Sequence, residues 1–471
     1  MTAQTILPAN SVTGGFEVAN SCRFNDGDSA YMHKTPGGAG TSADLFTFSM
    51  WIKRGIISSS DRIVLFDARE DAENFDRISF TSDDTLEWKG IRSDSQTHNL
   101  TTTQLFRDSS AWMHLHFIWD SADGTADNRM RIYVNGTQVT AFGTRANPTS
   151  GLDAIIGAAQ KHSVGSTASS GTYYDGYMAE VVYLDGQELT PDGNTGEFDE
   201  DSGIWKPKKV SGLTFGTNGF YLDFQASGNL GNDANGGTDL TEVNLAAADQ
   251  TTDTCTNNFA TLNPLRTQAG YTKVMSEGNC VWEHGQAGQN ASITSTIAAS
   301  SGKWYAEFLC STNANNWGFG IAQVNVTNNG SMAGYPDSQG GVTYVKNGNL
   351  SWYAGGDESS DTGTTFATDD IIAILMDLDN TRVYWYKNDT LVNSGGFDYS
   401  VVNSGSTLEN NYYFMVGATD NGTNPIIKAN FGGSPGFAIS SGNTDGNGYG
   451  NFEYATKGGY ALNTKNLAEF G

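Results

Sequence analysis

Proline is scarce in this chain, 9 residues in 471, and cysteine is scarcer still at 4. Cys22, Cys255, Cys280 and Cys310 show neither Cys-x-x-Cys nor Cys/His spacing, which excludes a zinc ribbon and a dense disulfide framework while leaving one bridge open. Positive charge is also in short supply. Against 52 acidic residues stand 26 basic ones, a formal net charge of −26, so the surface potential should repel phosphate backbones and anionic lipid. Nucleic acid is therefore not an expected partner. No stretch of 18 apolar residues occurs, and MTAQTILPANSVTGG has no basic segment leading into an apolar run, so neither a membrane span nor a Sec signal is read here. For a protein working outside the cell, that combination favours release by lysis, as for virion proteins.

What the chain has in quantity is glycine, 57 residues, with 11% aromatics and only 17% charged residues. Many strands joined by Gly, Asn, Asp, Ser and Thr turns give such a profile, and an all-β fold is expected. The length implies two to four domains at the usual domain size of roughly 100–200 residues.

Alternation carries the strand assignments. FTFSMWIKR places Phe46, Phe48, Met50 and Ile52 on one face and Thr47, Ser49 and Lys53 on the other, the pattern of a half-buried strand. WMHLHFIWD does the same with Met113, Leu115, Phe117 and Trp119. RMRIYVNGTQV runs into Asn135-Gly136, a dipeptide suited to a type I′ hairpin, and YMAEVVYL adds a further strand. A second block starts near Ile293: GKWYAEF aligns Trp304, Ala306 and Phe308, IIAILMDLD reads as a strand covered on both faces, VYWYKNDTLV turns at Asn388-Asp389, and YYFMVGA and IIKANFG close the block. Helical periodicity is confined to short alanine-rich pieces near Ala158 and Ala246.

The expected division is an N-terminal arm over 1–15, a first sandwich over 16–225, an irregular connector over 226–290, a second sandwich over 291–435 and a C-terminal tail over 436–471. SGNLGNDANGGTDL and the tail are poor in apolar residues and would be mobile if free. Contacts from neighbouring subunits of an assembly are the expected restraint on both.

Residues from about Asn20 to Phe224 resemble the LamG/pentraxin type of concanavalin A-like domain, through SCRFNDGDSAYM, FTFSMWIKR, AWMHLHFIWD, RIYVNGTQV and DGYMAEVVYLDGQEL in that order. Residues from about Ser292 to Gly433 resemble a SPRY (B30.2-like) domain, through GKWYAEF, NNWGFGIA, DIIAILMDLDNTRVYWYKND, YYFMVGATDN and IKANFG. The resemblance implies two consecutive antiparallel jelly-roll sandwiches. Between them, GTNGFYLDF, GNDANG and CTNNFATLNPL follow one another in an order similar to structural proteins of tailed phages. That likeness implies a homo-oligomeric virion surface component meeting other virion proteins and host-surface glycans or proteins.

Catalytic patterns are few. Glycanases on a concanavalin A-like scaffold place two carboxylates about 5 Å apart by alternation on one strand, and no E-x-D-x-E or E-x-D-x-x-E is present; the nearest approach, EFDED at 197–201, reads as a solvated acidic loop. His114 and His116 share a strand face and could form a two-histidine half-site, although a satisfied strand face explains them better. Asp120, Asp123 and Asp127 in DSADGTADN are the candidate calcium ligands, against the plainer reading of a hairpin turn. For stacking on sugars, the candidates are Tyr173 and Tyr174, Trp317, and Trp352 with Tyr353 beside Asp357. Core packing is the competing reading for the tryptophans. The expectation is a non-catalytic, fibre- or spike-like adhesin on a phage particle; a capsid decoration protein and a polysaccharide depolymerase are the alternatives.

Overall fold

The computed structural model describes residues 15–57, 59–266, 273–285, 290–312, 316–323, 340–354, 357–402, 411–419 and 425–471. The expected N-terminal arm, but for Gly15, lies outside them. The fold is nearly all β and antiparallel, as the composition predicts, and the chain divides between Thr256 and Asn257 into two compact units.

In the first unit, one sheet runs in the order Thr137–Gln138, Met130–Val134, Met113–Asp120, Leu45–Arg54, Gly176–Asp185, Ser21–Phe24 and Gln250–Thr251, with Phe220–Leu222 also paired to Gly176–Asp185. The facing sheet runs Phe142–Ala146, Ser95–Leu105, Thr85–Arg92, Phe75–Phe80, Ile63–Arg69, Lys161–Val164, Tyr31–Lys34 and Thr241–Val243. Alternation decides which side chains meet between them. Phe46, Phe48, Met50 and Ile52 from one sheet interleave with Phe66, Ile78, Trp88 and Leu100 from the other in a single core, the arrangement that buries one face of each sheet. The Asn135-Gly136 turn has positive φ at both positions, 47° and 75°, as a type I′ hairpin needs.

The other face of the first sheet is not the half-exposed surface that alternation suggests. Thr47, Ser49, Lys53, His114 and His116 are all buried. A hairpin formed by Gly196–Phe198 and Trp205–Pro207 and the stretch around Cys255 contribute to a second apolar layer with Trp51, Trp112, Tyr177 and Ala179. Alternation reports which residues share a face, and it cannot report that distant chain returns to cover the second face.

The second unit is again a sandwich. One sheet orders Lys273–Ser276, Val281–His284, Ile426–Asn430, Lys303–Cys310, Ile371–Asp377, Arg382–Lys387 and Thr390–Leu391; the facing one orders Asn290–Thr294, Tyr412–Thr419, Asn316–Gln323, Gly341–Val345, Asn349–Tyr353 and Asp357–Asp361. Trp304, Phe308, Ile372, Ile374 and Trp385 pack against Phe319, Val342, Tyr344, Phe414 and Val416. The turn at Asn388-Asp389 takes φ of 45° and 71°, as read from the sequence.

The expected connector and tail are not separate elements. Residues 226–256 belong to the first unit and 257–290 to the second. Thr241–Val243 and Gln250–Thr251 each add an edge strand to the first sandwich. The tail lies on its own sandwich: Phe452 and Ala461 pack with Tyr305, Ala373 and Phe259. Glu307 accepts the backbone N–H groups of Glu453 (2.9 Å) and Tyr454 (2.8 Å), and Asp445 accepts from Asn447, Tyr449, Ala461 and Asn466. A subunit contact is thus not needed to hold it. Thr464–Phe470 forms a seven-residue α-helix, too short to show a helical period, capped by the Asn463 side chain accepting from Asn466 N. All four cysteines are unbridged and buried.

Candidate binding surface

The second sheet of the first unit turns a charged face away from its core. On strand Phe75–Phe80, Ile78 points inward, so Phe75, Arg77 and Ser79 point outward; on Thr85–Arg92, inward Trp88 leaves Glu87 and Lys89 outside. Register then sets neighbours. Across the sheet, Ser163 lies opposite Asp67, Asp67 opposite Arg77, Arg77 opposite Lys89 and Lys89 opposite Asn99. In the adjacent row Lys161 faces Arg69, and Arg69 faces Phe75.

Two guanidinium groups flank one ring: Arg69 and Arg77 each lie 4.7 Å from the centroid of Phe75. Arg69 also pairs with Asp67, Nε to Oδ1 3.3 Å, and Asp67 accepts the N–H of Ala168 at 2.9 Å. Burial raises the Asp67 carboxyl, and Arg69 pulls the other way. Nearby, Arg62 meets Glu87 at 3.0 Å. Burial and then the charge of Arg62 push the Arg77 guanidinium below its ordinary value. Among the described residues Arg77, Lys89 and Lys161 form no ion pair, and the buried Arg77 Nε has no hydrogen-bond partner.

Towards the sheet edge the face becomes aromatic. Lys161 Nζ lies 5.3 Å from the centroid of Tyr31, whose ring neighbours His33 (5.8 Å) and Tyr173 (6.1 Å), and the Tyr31 and Ser170 hydroxyls are 2.9 Å apart. Burial and the charge of Lys161 hold His33 below its usual range. The whole forms a continuous stripe of aromatic and cationic groups, suited to stacking and to charged hydrogen bonding.

Of the residues singled out in the sequence, Tyr173 belongs to this stripe. Tyr174, its neighbour, is fully buried; its hydroxyl donates to the Lys53 carbonyl at 2.8 Å, which makes it a structural residue. Trp317 is also fully buried, against Phe366 and beneath Lys346. Trp352 is half-buried and rests on Phe397 at 4.8 Å. Tyr353 lies opposite Asp357 in register, and the side chains of both are outside the described residues.

Asp120, Asp123 and Asp127 are not gathered around a common point. Asp127 accepts from Arg145 Nε (3.0 Å) and Asn147 Nδ2 (2.6 Å), and Asp123 accepts the Thr125 N–H at 2.6 Å. No group of three or more His, Cys, Asp or Glu with metal-binding proximity occurs among the described residues. The histidine pair is spoken for as well: His114 Nε2 bonds Ser49 Oγ at 2.7 Å while its ring stacks on Trp205, and His116 Nε2 bonds the Leu189 carbonyl at 2.7 Å. Burial pushes both down, His116 to about 4, so they are neutral near pH 7. In the acidic loop, Asp199 is consumed locally by Ser202 and by Lys206 at 3.2 Å, which hold it down to about 2.

The cations of the stripe went unnoticed in the sequence although a signal exists, since alternation in FDRISF and TLEWKGIR sets Arg77 and Lys89 opposite Ile78 and Trp88. Which strands stand side by side is set by sheet order alone.

Residues 26–192 match the Laminin_G_3 family, described as the concanavalin A-like lectin/glucanases superfamily. None of the curated proteins matches the chain. Among solved structures, the chain is similar to the SPRY domain of human HERC1 (17% identity, 36% of this chain, 96% of that one, TM-score 0.28). It is also similar to the heptameric SAP-like pentraxin from Limulus polyphemus (16% identity, 37% of this chain, 81% of that one, TM-score 0.28) and to the PSpry domain of TRIM65 (11% identity, 36% of this chain, 92% of that one, TM-score 0.26). A lectin-like fold of this kind fits a binding function towards glycans or proteins.

Proposed function

We propose that this chain is a non-catalytic binding protein exposed on the surface of a tailed-phage particle, a fibre- or spike-like adhesin whose first unit touches host-surface glycans. The observation that carries the binding part is the stripe Tyr173–Tyr31–His33–Lys161–Arg69–Phe75–Arg77–Lys89 on one sheet face of a lectin-type sandwich. The virion part rests on the succession GTNGFYLDF, GNDANG and CTNNFATLNPL between a LamG-like and a SPRY-like block. Display in many copies, as a homo-oligomer among other virion proteins, would multiply weak single-site binding through effective concentration.

Two experiments test this. Purified protein incubated with host capsular polysaccharide or lipopolysaccharide should retain the glycan and release no new reducing ends; release would make it a depolymerase. Gold-labelled antibody on intact particles should mark the tail region, and labelling confined to the head would reassign the chain to capsid decoration.

A further inference from the structure

We propose that the outer face of the second sheet in the first unit is selective for anionic polysaccharide, one bearing carboxylate or sulfate groups, with Arg69, Arg77, Lys89 and Lys161 as the recognising cations. The inference rests on the glycan-binding reading above and narrows it to a class of ligand.

It stands first on an arrangement that folding alone does not favour. Like charges directly opposite each other in an antiparallel pair are destabilising, yet this face carries two such pairs, Lys161 with Arg69 and Arg77 with Lys89. Both occur in a chain with twice as many acids as bases, where a carboxylate at either position would be the commoner neighbour. Five basic side chains, Arg62, Arg69, Arg77, Lys89 and Lys161, share the face with two carboxylates, Asp67 and Glu87, and each of those carboxylates already has a partner in Arg69 or Arg62. Further acids stand at the rim, Asp61 beside Arg62, and Glu70, Asp71 and Glu73 at the hairpin end beyond Arg69, where Asp71 accepts from the Asn74 side chain and the Glu73 N–H. A local excess of positive charge against a strongly negative whole is the electrostatic complement of an anionic ligand.

Geometry supplies the rest. The four cations sit on four adjacent strands, Lys161–Val164, Ile63–Arg69, Phe75–Phe80 and Thr85–Arg92, and neighbouring strands are about 4.8 Å apart. They therefore fall in two adjacent cross-strand rows, Lys161 with Arg69 in one and Arg77 with Lys89 in the other, a cluster that several charged sugars of one chain could meet at once. Phe75, held between two guanidiniums, keeps them splayed and pre-organised. Tyr31 and Tyr173 extend the cluster with ring faces for the sugar C–H surfaces. Duplex DNA is the less favoured polyanion, because the net charge of −26 repels a long phosphate backbone beyond the patch.

The test is titration of the full chain with heparin as the sulfated probe, polygalacturonate as the carboxylated one, neutral dextran and a DNA duplex, at low and at high salt. Heparin, polygalacturonate or both should bind, at least tenfold more weakly at high salt, with dextran and DNA bound far less. The K89Q/K161Q variant removes one cation from each like-charged pair and should lose at least tenfold in affinity, while its thermal midpoint stays level or rises because repulsion is relieved. That rise separates lost binding from lost folding, and R77Q gives a second measure of affinity. Unchanged affinity in K89Q/K161Q, or DNA bound as tightly as the acidic glycans, overturns the proposal. So does a face that captures only a second copy of the chain, seen as salt-dependent self-association abolished by the variant. Binding of dextran but of neither acidic glycan would overturn the anionic selectivity and leave glycan binding standing; binding of no glycan at all would overturn both.

Discussion

Lys53 and Asp253, separated by 200 positions in sequence, form a buried ion pair in the first unit, Nζ to Oδ2 2.7 Å, with each side chain about 1% exposed. The same carboxylate accepts the Trp112 indole N–H at 2.9 Å, and the Asp253 carbonyl accepts the Ser21 hydroxyl at 2.6 Å. Strand Leu45–Arg54 supplies the lysine and the stretch after Gln250–Thr251 supplies the aspartate, so the pair fastens chain that reads as connector to the outer face of the first sheet.

A buried charge left without its counter-ion is expensive, about 3–5 kcal/mol. Asp253→Ala should therefore destabilise the first unit by an amount in that range, read as a lower urea midpoint at unchanged slope. Lys53→Met combined with Asp253→Asn, which keeps an acceptor for Trp112, should recover most of the loss. Equal instability in the single and double variants would show that packing, not charge, holds this stretch in place.

Tyr173 and Tyr174 should behave as opposites. Tyr174→Phe removes a buried hydroxyl from the Lys53 carbonyl and should cost about 1–2 kcal/mol in unfolding experiments while glycan affinity stays constant. Tyr173→Ala, at a half-exposed position, should change stability by about 0.5 kcal/mol or less and weaken glycan binding. Titrations of both variants beside denaturant curves separate the two roles.

Glu180 gives the first unit a pH dependence of known sign. It sits at a bulge in Gly176–Asp185 with φ of 49° and accepts the Tyr221 hydroxyl at 2.6 Å. Burial pushes its carboxyl from 4.5 up to about 7, a rise that the Tyr221 hydrogen bond opposes and Asp223 assists. Between those values the unfolded chain has released a proton that the folded unit keeps. This contribution is full below about pH 4.5, falls as pH rises and is gone above about 7, a change on the order of 3 kcal/mol at 1.36 kcal/mol per unit. Glu180→Gln should flatten this component and leave the variant more stable than the parent at pH 8, read from urea midpoints across pH 4.5–8.

In the second unit, Glu307 accepts from Tyr305, Asn430, Glu453 and Tyr454, and burial raises its carboxyl against the pull of those donors. Glu307→Leu would orphan several buried donors at once, each worth about 1–3 kcal/mol. Protease should then cut the variant between residues 440 and 460 under conditions that leave the parent whole. Protection of the parent should not change on dilution, because the contacts are internal to one unit; dilution-dependent cutting would point to restraint by neighbouring subunits.

Local periodicity and turn chemistry were enough to read the strands, the two hairpin turns and the inward faces, because alternation and positive-φ dipeptides act over a few residues. The sandwich pairing followed from resemblance and agrees with the structure. Site assignment was harder: nothing local separates Tyr173 from Tyr174, which lie together among turn-forming residues, although Trp317 does alternate with Phe319 and Ile321 along Asn316–Gln323, and all three are core. Burial at those positions comes from chain far away in sequence.

From the sequence alone came an all-β, acidic chain of two successive strand-rich blocks, most of the strands with one apolar face. Tertiary structure decided the remainder: that 226–256 and the tail are covering layers of their own units, that His114 and His116 lie in the interior, and that Lys161 stands beside Arg69 and Arg77 beside Lys89. The physical reason is one of range. Side-chain alternation is settled by backbone geometry within a strand, whereas sheet order, register and the covering of an outer face depend on contacts between segments tens to hundreds of residues apart.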